Sequence, residues 1–275
     1  MRRRWDRGRD VSDVLALLSR IAEATAVSAV WTEATGFFRG LGFGRVNYGY
    51  TRFLNDRTIG NPEDAVFLTT ADADYARRYF AGGLYARTPV FRWAQQNSGA
   101  CTWGWVKGAM ERGELTPDEM EAVRQNLEMG ISAGITVSFP ETSTRAKGAL
   151  GLIADPGIGH EAVEDIFARL GQEILAVANM MHLKVVNMPG ANGRRQLTQR
   201  QREALEWVAD GKTAQDVAVL MDVSPAMVEK HLRLARAALD VDTTAQAVAK
   251  AALLNMIFQK DEAVVPSVPS SATER

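Results

Sequence analysis

The sequence predicts an α+β fold: an N-terminal α/β/α sandwich with a central antiparallel sheet, and a small all-α C-terminal domain containing a helix-turn-helix. Residues 1–186 mix segments of strand and helix periodicity. Residues 187–195 contain Pro, Gly and Asn with no apolar period, which indicates a linker. Residues 196–258 hold four helices that begin with capping signals. Residues 259–275 are rich in Pro and Ser, and we expect them to be disordered.

The first domain alternates between the two element types. Residues 45–53 alternate apolar and polar side chains, as a half-buried strand does. Thr116, Pro117 and Glu119 are typical of a helix start. The predicted helices are 11–42 (one or two), 72–81, 89–97, 116–129 and 160–186. The predicted strands are 45–53, 65–70, 101–106, 131–140 and 148–155, the last two forming a hairpin.

The second domain shows its helix boundaries clearly. The capping pairs are Thr198 with Gln201, Thr213 with Asp216, Ser224 with Pro225, and Thr243 with Gln246. Gly211 suits the left-handed position that follows a helix end. The second and third helices lie on either side of a tight turn at 221–223, which is the layout of a helix-turn-helix.

The third of these helices has two distinct faces. Its apolar stripe consists of Val228, Leu232, Ala235 and Leu239. Lys230 and Arg233 fall on the opposite face near small Ala226, and Arg236 lies to one side. A slim helix with outward cations fits the DNA major groove. An ordinary amphipathic helix with a solvated basic face is the alternative.

The C-terminal segment resembles the LuxR-type helix-turn-helix. The resemblance rests on a Leu-Thr-x-Arg opening, Trp207, Gly211–Lys212–Thr213, Val217–Ala218, Ser224–Pro225, Val228, His231–Leu232, Leu239 and Ala247–Val248. It implies a reading helix at Ser224–Leu239 and phosphate contacts near Arg200, Lys212 and Thr213. Gln201, Glu229 and Leu234 depart from the family pattern, and Glu229 brings an acid to the DNA face.

A second informative pattern lies in the first domain. Tyr75 and Tyr79 are spaced to share one helix face, and Trp103 follows nearby, on the strand predicted at 101–106. Aromatic side chains with polar tips suit a ligand pocket, since the ring provides an apolar wall and the tip a hydrogen bond. Packing in the hydrophobic core is the alternative interpretation.

Residues 11–186 resemble the acyl-homoserine-lactone-binding domain of quorum-sensing LuxR regulators. The family's spacing is kept at Tyr75, Tyr79, Thr88–Pro89 and Trp103. The resemblance implies a small-molecule signal, with these ligand-binding candidates: Tyr75, Tyr79, Thr88, Trp103, Phe91, Asn47 and Gly151. The family usually has Trp, Asp, and Ser or Thr at the places of Tyr75, Thr88 and Gly151. The changes indicate either a shifted ligand preference or weaker binding of the usual lactone.

The implied partners are promoter DNA, bound by a homodimer, and the signal, with RNA polymerase as a further possible partner. A net charge of −1, and nine Lys and Arg against eight Asp and Glu in 194–258, provide little overall attraction for DNA. Two monomers would double the phosphate contacts. The long helix at 160–186 and the last helix carry the apolar stripes expected of dimer surfaces.

Composition argues against several other classes. One cysteine excludes an intrachain disulfide, and one cysteine with three histidines makes a metal site unexpected. The sequence has no apolar run of about 18 residues, so we expect a cytoplasmic protein without a membrane segment. Its three histidines, His160, His182 and His231, all lie in or at predicted helices, so we expect no catalytic residue, no cofactor beyond the signal and no enzyme activity. A two-component response regulator and a regulator that acts without ligand are the remaining alternatives.

Overall fold

The computed structural model describes residues 11–54, 59–189 and 195–259. The chain forms two compact units, Met1–Arg195 and Gln196–Arg275. The first unit is built on a five-stranded antiparallel sheet and the second from helices, so the predicted α+β fold class is confirmed.

The strands are β1 (Arg45–Thr51), β2 (Val66–Thr69), β3 (Gly99–Thr102), β4 (Gly134–Ser138) and β5 (Lys147–Ile153). Their order in the sheet is β2-β1-β5-β4-β3, and every neighbouring pair is antiparallel. The predicted hairpin of the last two strands is confirmed by the β4–β5 pairing. Because side chains alternate along each strand, the sheet presents two different faces.

One face of the sheet is covered by three helices, α1 (Val11–Glu23), α2 (Val27–Arg39) and α7 (His160–Asn187). Residues 11–42 thus form two helices. The core between them contains fully buried Phe38, Tyr48 and Ile135. The helix α7 is interrupted at Leu170, whose backbone is not helical.

The other face lies under shorter helical segments. These are α3 (Ala73–Ala76), which continues as a wider π-helical turn at Arg77–Ala81, α4 (Pro89–Gln96), α5 (Gly104–Glu111) and α6 (Pro117–Glu128). The predicted caps of α6 are present, since Thr116 and Glu119 form a reciprocal capping box. These segments leave a cavity above the sheet.

The prediction of a third strand at 101–106 is wrong in part. The strand is Gly99–Thr102, and the α5 helix begins at Gly104, so Trp103 and Trp105 do not lie on a strand. Trp105 and Val106 favour strands by intrinsic preference. In the structure this segment is nevertheless helical, and the helix places Val106 and Met110, four residues apart, along the cavity.

The second unit consists of α8 (Gln199–Ala209), α9 (Ala214–Leu220), α10 (Pro225–Leu239) and α11 (Thr244–Leu253). All four predicted helices are confirmed, and Thr198, Thr213, Ser224 and Thr243 each accept a hydrogen bond from a backbone N–H of the first turn. Gly211 has the expected positive φ of 81°. In the turn between α9 and α10, Asp222 also has a positive φ, which Asp tolerates better than most residues.

The linker predicted at 187–195 is only partly described. Asn187 is the last residue of α7, and 190–194 lie outside the described residues. Of the predicted tail, residues 260–275 also lie outside them. Among the helices that the structure describes, none combines the length and the apolar character that crossing a membrane requires.

Candidate functional site

A cavity of about 340 Å³ lies between the sheet and the helices α4, α5 and α6. This volume is within the usual range for a small-molecule site. All seven residues predicted from the sequence line it: Asn47, Tyr75, Tyr79, Thr88, Phe91, Trp103 and Gly151. The fold thus brings together side chains that lie more than 100 positions apart in the sequence.

One wall of the cavity is a continuous chain of aromatic rings. The Tyr75 and Tyr79 rings stack with centroids 5.2 Å apart, as their spacing on one helix face allows. Tyr79 meets Phe80 at 5.1 Å, and Tyr85 meets Phe91 at 5.3 Å. Burial raises the pKa of Tyr75 to about 12 and also raises that of Tyr79, so both phenols stay neutral at physiological pH.

The floor of the cavity is polar along one cross-strand row. Asn47, Gly151 and Thr136 line the cavity as successive neighbours across β1, β5 and β4, and Thr69 on β2 continues the row outside the lining. Gly151 forms a gap in this row, because a Cβ built there would meet nothing closer than 3.9 Å. We call this gap, with Asn47 on one side and Thr136 on the other, the Gly151 notch.

The Asn47 amide is hydrogen-bonded on both of its sides. The Thr69 hydroxyl accepts from the backbone N–H of Ala71 at 3.0 Å and donates to Asn47 Oδ1 at 2.7 Å. The Asn47 Nδ2 group lies on the other side, where it donates to the Tyr75 Oη atom at 2.7 Å. A backbone N–H thus starts a chain of hydrogen bonds that ends on the Tyr75 hydroxyl.

Trp103 closes the other side of the notch. Its indole Nε1 donates to Thr136 Oγ1 at 2.9 Å. Its ring also requires Gly134 below it, because a Cβ on Gly134 would lie 3.0 Å from the indole and 2.4 Å from the Leu152 carbonyl oxygen. The indole N–H is therefore used within the protein, while the ring remains a wall of the cavity.

Thr88 lies at the start of α4 and is 2% exposed. Its hydroxyl donates to the Tyr85 carbonyl oxygen at 2.8 Å and accepts from the Phe91 N–H at 3.2 Å. The hydroxyl is thus both a donor and the N-cap acceptor of the helix.

Sequence reasoning did not include Thr69 and Thr136 among the site residues. Each is connected to a predicted residue, Asn47 or Trp103, only through the register of the sheet. Periodicity marked 65–70 and 131–140 as strands, but strand pairing cannot be read from periodicity alone. Within the described residues, no group of three or more His, Cys, Asp and Glu is placed to hold a metal ion.

In the second unit, α10 has the two faces that its sequence predicts. Val228, Leu232, Ala235 and Leu239 are buried against the other helices of the unit. Ala226, Lys230 and Arg233 are exposed, and so is Glu229 beside them. Met227 is also exposed on this side, at 39%, and Leu234, one turn after Lys230, is half-buried.

The remaining predicted DNA contacts occupy three different settings. Arg236 donates to the Thr244 hydroxyl at 2.8 Å, which connects α10 to the start of α11. Arg200 forms an exposed ion pair with Glu203 at 2.9 Å. Lys212 and Thr213 lie together at the exposed start of α9, where Thr213 belongs to a capping box with Asp216.

Two family descriptions match the chain. "Autoinducer binding domain" matches residues 26–185, which is more than half of the chain, and "Sigma-70, region 4" matches residues 195–239. The chain belongs to the autoinducer-binding family. The second match covers α8 to α10 and agrees with the helix-turn-helix found there.

Relatives with assigned roles match this chain over most of its length. VjbR of Brucella abortus, an HTH-type quorum sensing-dependent transcriptional regulator, is 26% identical over 90% of this chain and 88% of its own. The transcriptional activator SolR of Ralstonia solanacearum is 27% identical over 83% and 92%. The crystal structure of Escherichia coli SdiA shares the fold, with a TM-score of 0.52 and 17% identity over 90% of this chain and 99% of SdiA.

These matches identify the protein as a LuxR-type quorum-sensing transcriptional regulator with an autoinducer-binding domain and a helix-turn-helix. The relatives are named as regulators of transcription and not as enzymes. The response-regulator alternative is wrong, because the first unit matches the autoinducer-binding family instead.

Proposed function

We propose that this regulator binds an acyl-homoserine lactone or a related acyl signal in the cavity of its first domain and a palindromic promoter site with its second. The observation that carries the proposal is the cavity itself: an apolar aromatic wall faces a polar notch at Gly151. An apolar pocket with a few oriented polar groups is the usual form of a small-molecule site. In this proposal 1–186 is the sensing and dimerisation domain, 187–195 the linker and 196–258 the DNA-binding domain.

For the DNA contact, we assign α10 to the major groove. Lys230 and Arg233 are exposed on the face opposite the buried stripe, and Ala226 leaves room for close approach. Arg200, Lys212 and Thr213 are the proposed phosphate contacts. Arg236 is held by Thr244, so it has a supporting role in addition to any DNA contact.

The proposed active form is a homodimer. Leu183 on α7 is 57% exposed and Leu253 on α11 is 46% exposed, so each helix has an apolar side chain that a second copy would cover. Two reading helices one DNA turn apart would lie about 34 Å from each other. A cytoplasmic location and contact with RNA polymerase at the promoter belong to the same proposal.

A regulator that responds to a non-lactone signal, or to none, is the second candidate. The replaced head-group residues favour it, since Thr88 provides no charged oxygen and its hydroxyl is already used by Tyr85 and Phe91. It differs from the first candidate by predicting stable, DNA-binding protein whose affinity for DNA does not respond to N-octanoyl-homoserine lactone.

Selection from random-sequence DNA duplexes tests the DNA-binding proposal, with and without N-octanoyl-homoserine lactone. We expect enrichment of inverted repeats with half-site centres about 10 base pairs apart. The double variant Lys230→Ala/Arg233→Ala should lose this enrichment, while Arg39→Ala, which changes an exposed arginine of the first domain outside the cavity, should keep it. Enrichment of single half-sites by a monomer would contradict the homodimer, and enrichment that is unchanged by the lactone would favour the second candidate.

A further inference from the structure

The hydrogen-bonding groups around the Gly151 notch can be assigned as donors or acceptors. Tyr75 Oη accepts from Asn47 Nδ2, which lies on the side of the amide opposite Thr69. A phenol is neutral at physiological pH, and burial raises the pKa of Tyr75 further, so its own proton remains available to a ligand.

The same reasoning applies on the opposite side of the notch. An indole N–H can only donate, so the Thr136 hydroxyl must accept from Trp103 Nε1. The proton of that hydroxyl is then available to the cavity, which Thr136 lines. The notch therefore presents two O–H donors, one from Tyr75 and one from Thr136, beside the space left by Gly151.

The start of α4, where the related family usually carries an acidic residue, offers a ligand N–H no charged acceptor. A carboxylate at the start of a helix can cap the helix with one oxygen and face a ligand with the other. Thr88 uses its only oxygen for the cap and for Tyr85, and the second branch of its Cβ is a methyl group. Asn126 also lines the cavity, but its unpartnered Oδ1 atom is itself buried and does not face the open space.

We propose that the natural signal is an acyl compound whose head group offers acceptor oxygens and no amide N–H, such as an acyl ester or ketone. This inference rests on the proposed ligand-binding function of the cavity. Carbonyl oxygens placed in the notch would accept from Tyr75 and Thr136. An amide N–H that faces Thr88 would meet a hydroxyl already used by Tyr85 and Phe91 and would lose its hydrogen bond to water.

The test compares two ligands of matched shape, N-octanoyl-homoserine lactone and the ester in which oxygen replaces the N–H group. Their dissociation constants are measured by calorimetry on the full chain and on Thr88→Asp, Thr88→Val and Thr88→Ser. We expect the wild-type protein to bind the ester more tightly. Thr88→Asp should shift the affinity ratio toward the amide by about tenfold or more, because a carboxylate accepts strongly from N–H. Thr88→Val and Thr88→Ser should leave the ratio unchanged.

Each other outcome has a separate meaning. Tighter amide binding that is lost in Thr88→Val would show that the Thr88 hydroxyl accepts the amide, which overturns the inference and supports the proposed function. Equal affinities, or tighter amide binding that does not depend on Thr88, would also overturn it. Binding of neither ligand would overturn both the inference and the acyl-signal part of the proposed function. Because each ratio compares two ligands on the same protein, a loss of stability in one variant does not affect it.

Discussion

Each face of the central sheet carries a hydrogen-bonded tyrosine, but the surroundings of the two tyrosines differ. On the face covered by α7, the Tyr48 hydroxyl is 2.9 Å from His182 Nδ1, and His182 Nε2 is 3.1 Å from Glu141 Oε1. On the cavity face, the chain of hydrogen bonds ends on the hydroxyl of Tyr75, a residue that lines the cavity. The first network lies on the packed face of the sheet, while the second ends at a space that a ligand can fill.

Packing around the two networks differs in the same way. Phe139 is fully buried and stacks on the His182 ring with centroids 4.0 Å apart. Gly148 has no room for a side chain, because a Cβ would lie 2.6 Å from His182 Cε1, whereas the same atom on Gly151 would meet nothing closer than 3.9 Å. The packed face stabilises the domain, and the cavity face retains space for binding.

The largest difference is expected from truncating one phenylalanine on each face. Phe139→Ala removes a fully buried ring and should lower the free energy of unfolding by about 3–5 kcal/mol. Phe91→Ala should cost less, because part of its ring faces the cavity and makes no packing contact there. Urea unfolding of both variants measures the difference, and equal losses would contradict the comparison.

Two alanine substitutions in β5 provide a matched pair within one strand. Gly148→Ala should destabilise the protein by about 1–3 kcal/mol, since the added methyl group overlaps His182. Gly151→Ala should change stability by no more than about 0.5 kcal/mol. It should nevertheless weaken ligand binding, because the methyl group enters the notch. Thermal unfolding with and without N-octanoyl-homoserine lactone gives both quantities, and a reversed order of stability would refute the assignment of the two faces.

The smallest structural change removes one hydroxyl from each face. Tyr48→Phe leaves a buried nitrogen of His182 without its partner and should cost about 1–3 kcal/mol. Tyr75→Phe should cost about 1 kcal/mol or less, since water in the cavity can hydrate Asn47, but should weaken ligand binding.

The alkaline limb of the stability curve reports on the burial of both tyrosines. Burial raises the pKa of both above the value of about 10 in the unfolded chain. The folded protein therefore holds these protons more tightly, and stability present below pH 10 falls as the pH rises above it. Between pH 9 and 11 both folded phenols stay protonated, so Tyr48→Phe and Tyr75→Phe should each flatten this fall. Chemical unfolding between pH 9 and 11 measures both slopes, and a slope left unchanged by either substitution would contradict the burial of that tyrosine.

What the sequence could predict was local. The caps at Thr116, Thr198, Thr213 and Thr243 involve residues three positions apart, so the helices that they begin were predictable. The α5 helix was missed because Trp105 and Val106 are common in strands, and only contacts with distant elements decide their conformation.

Some of the cavity side chains were predictable, because alternation along a single strand is also a local signal. Alternation placed Asn47 and Thr51 on the opposite side from Val46 and Tyr48, and this division is confirmed. The pairing of Trp103 with Thr136 joins residues 33 positions apart and depends on the register between strands. That Thr88 uses its hydroxyl for the helix cap and Tyr85 required the folded geometry.

The central claim is that the Gly151 notch and the cavity above it form the signal-binding site. Calorimetric titration of N-octanoyl-homoserine lactone and its ester analogue into wild-type protein and Gly151→Val tests it most directly. Gly36→Ala is the matched control, because a Cβ there meets nothing within 4 Å and lies outside the cavity. We predict saturable binding of at least one ligand to wild type and Gly36→Ala, weakened at least tenfold in folded Gly151→Val. Unchanged affinity in Gly151→Val would contradict the account.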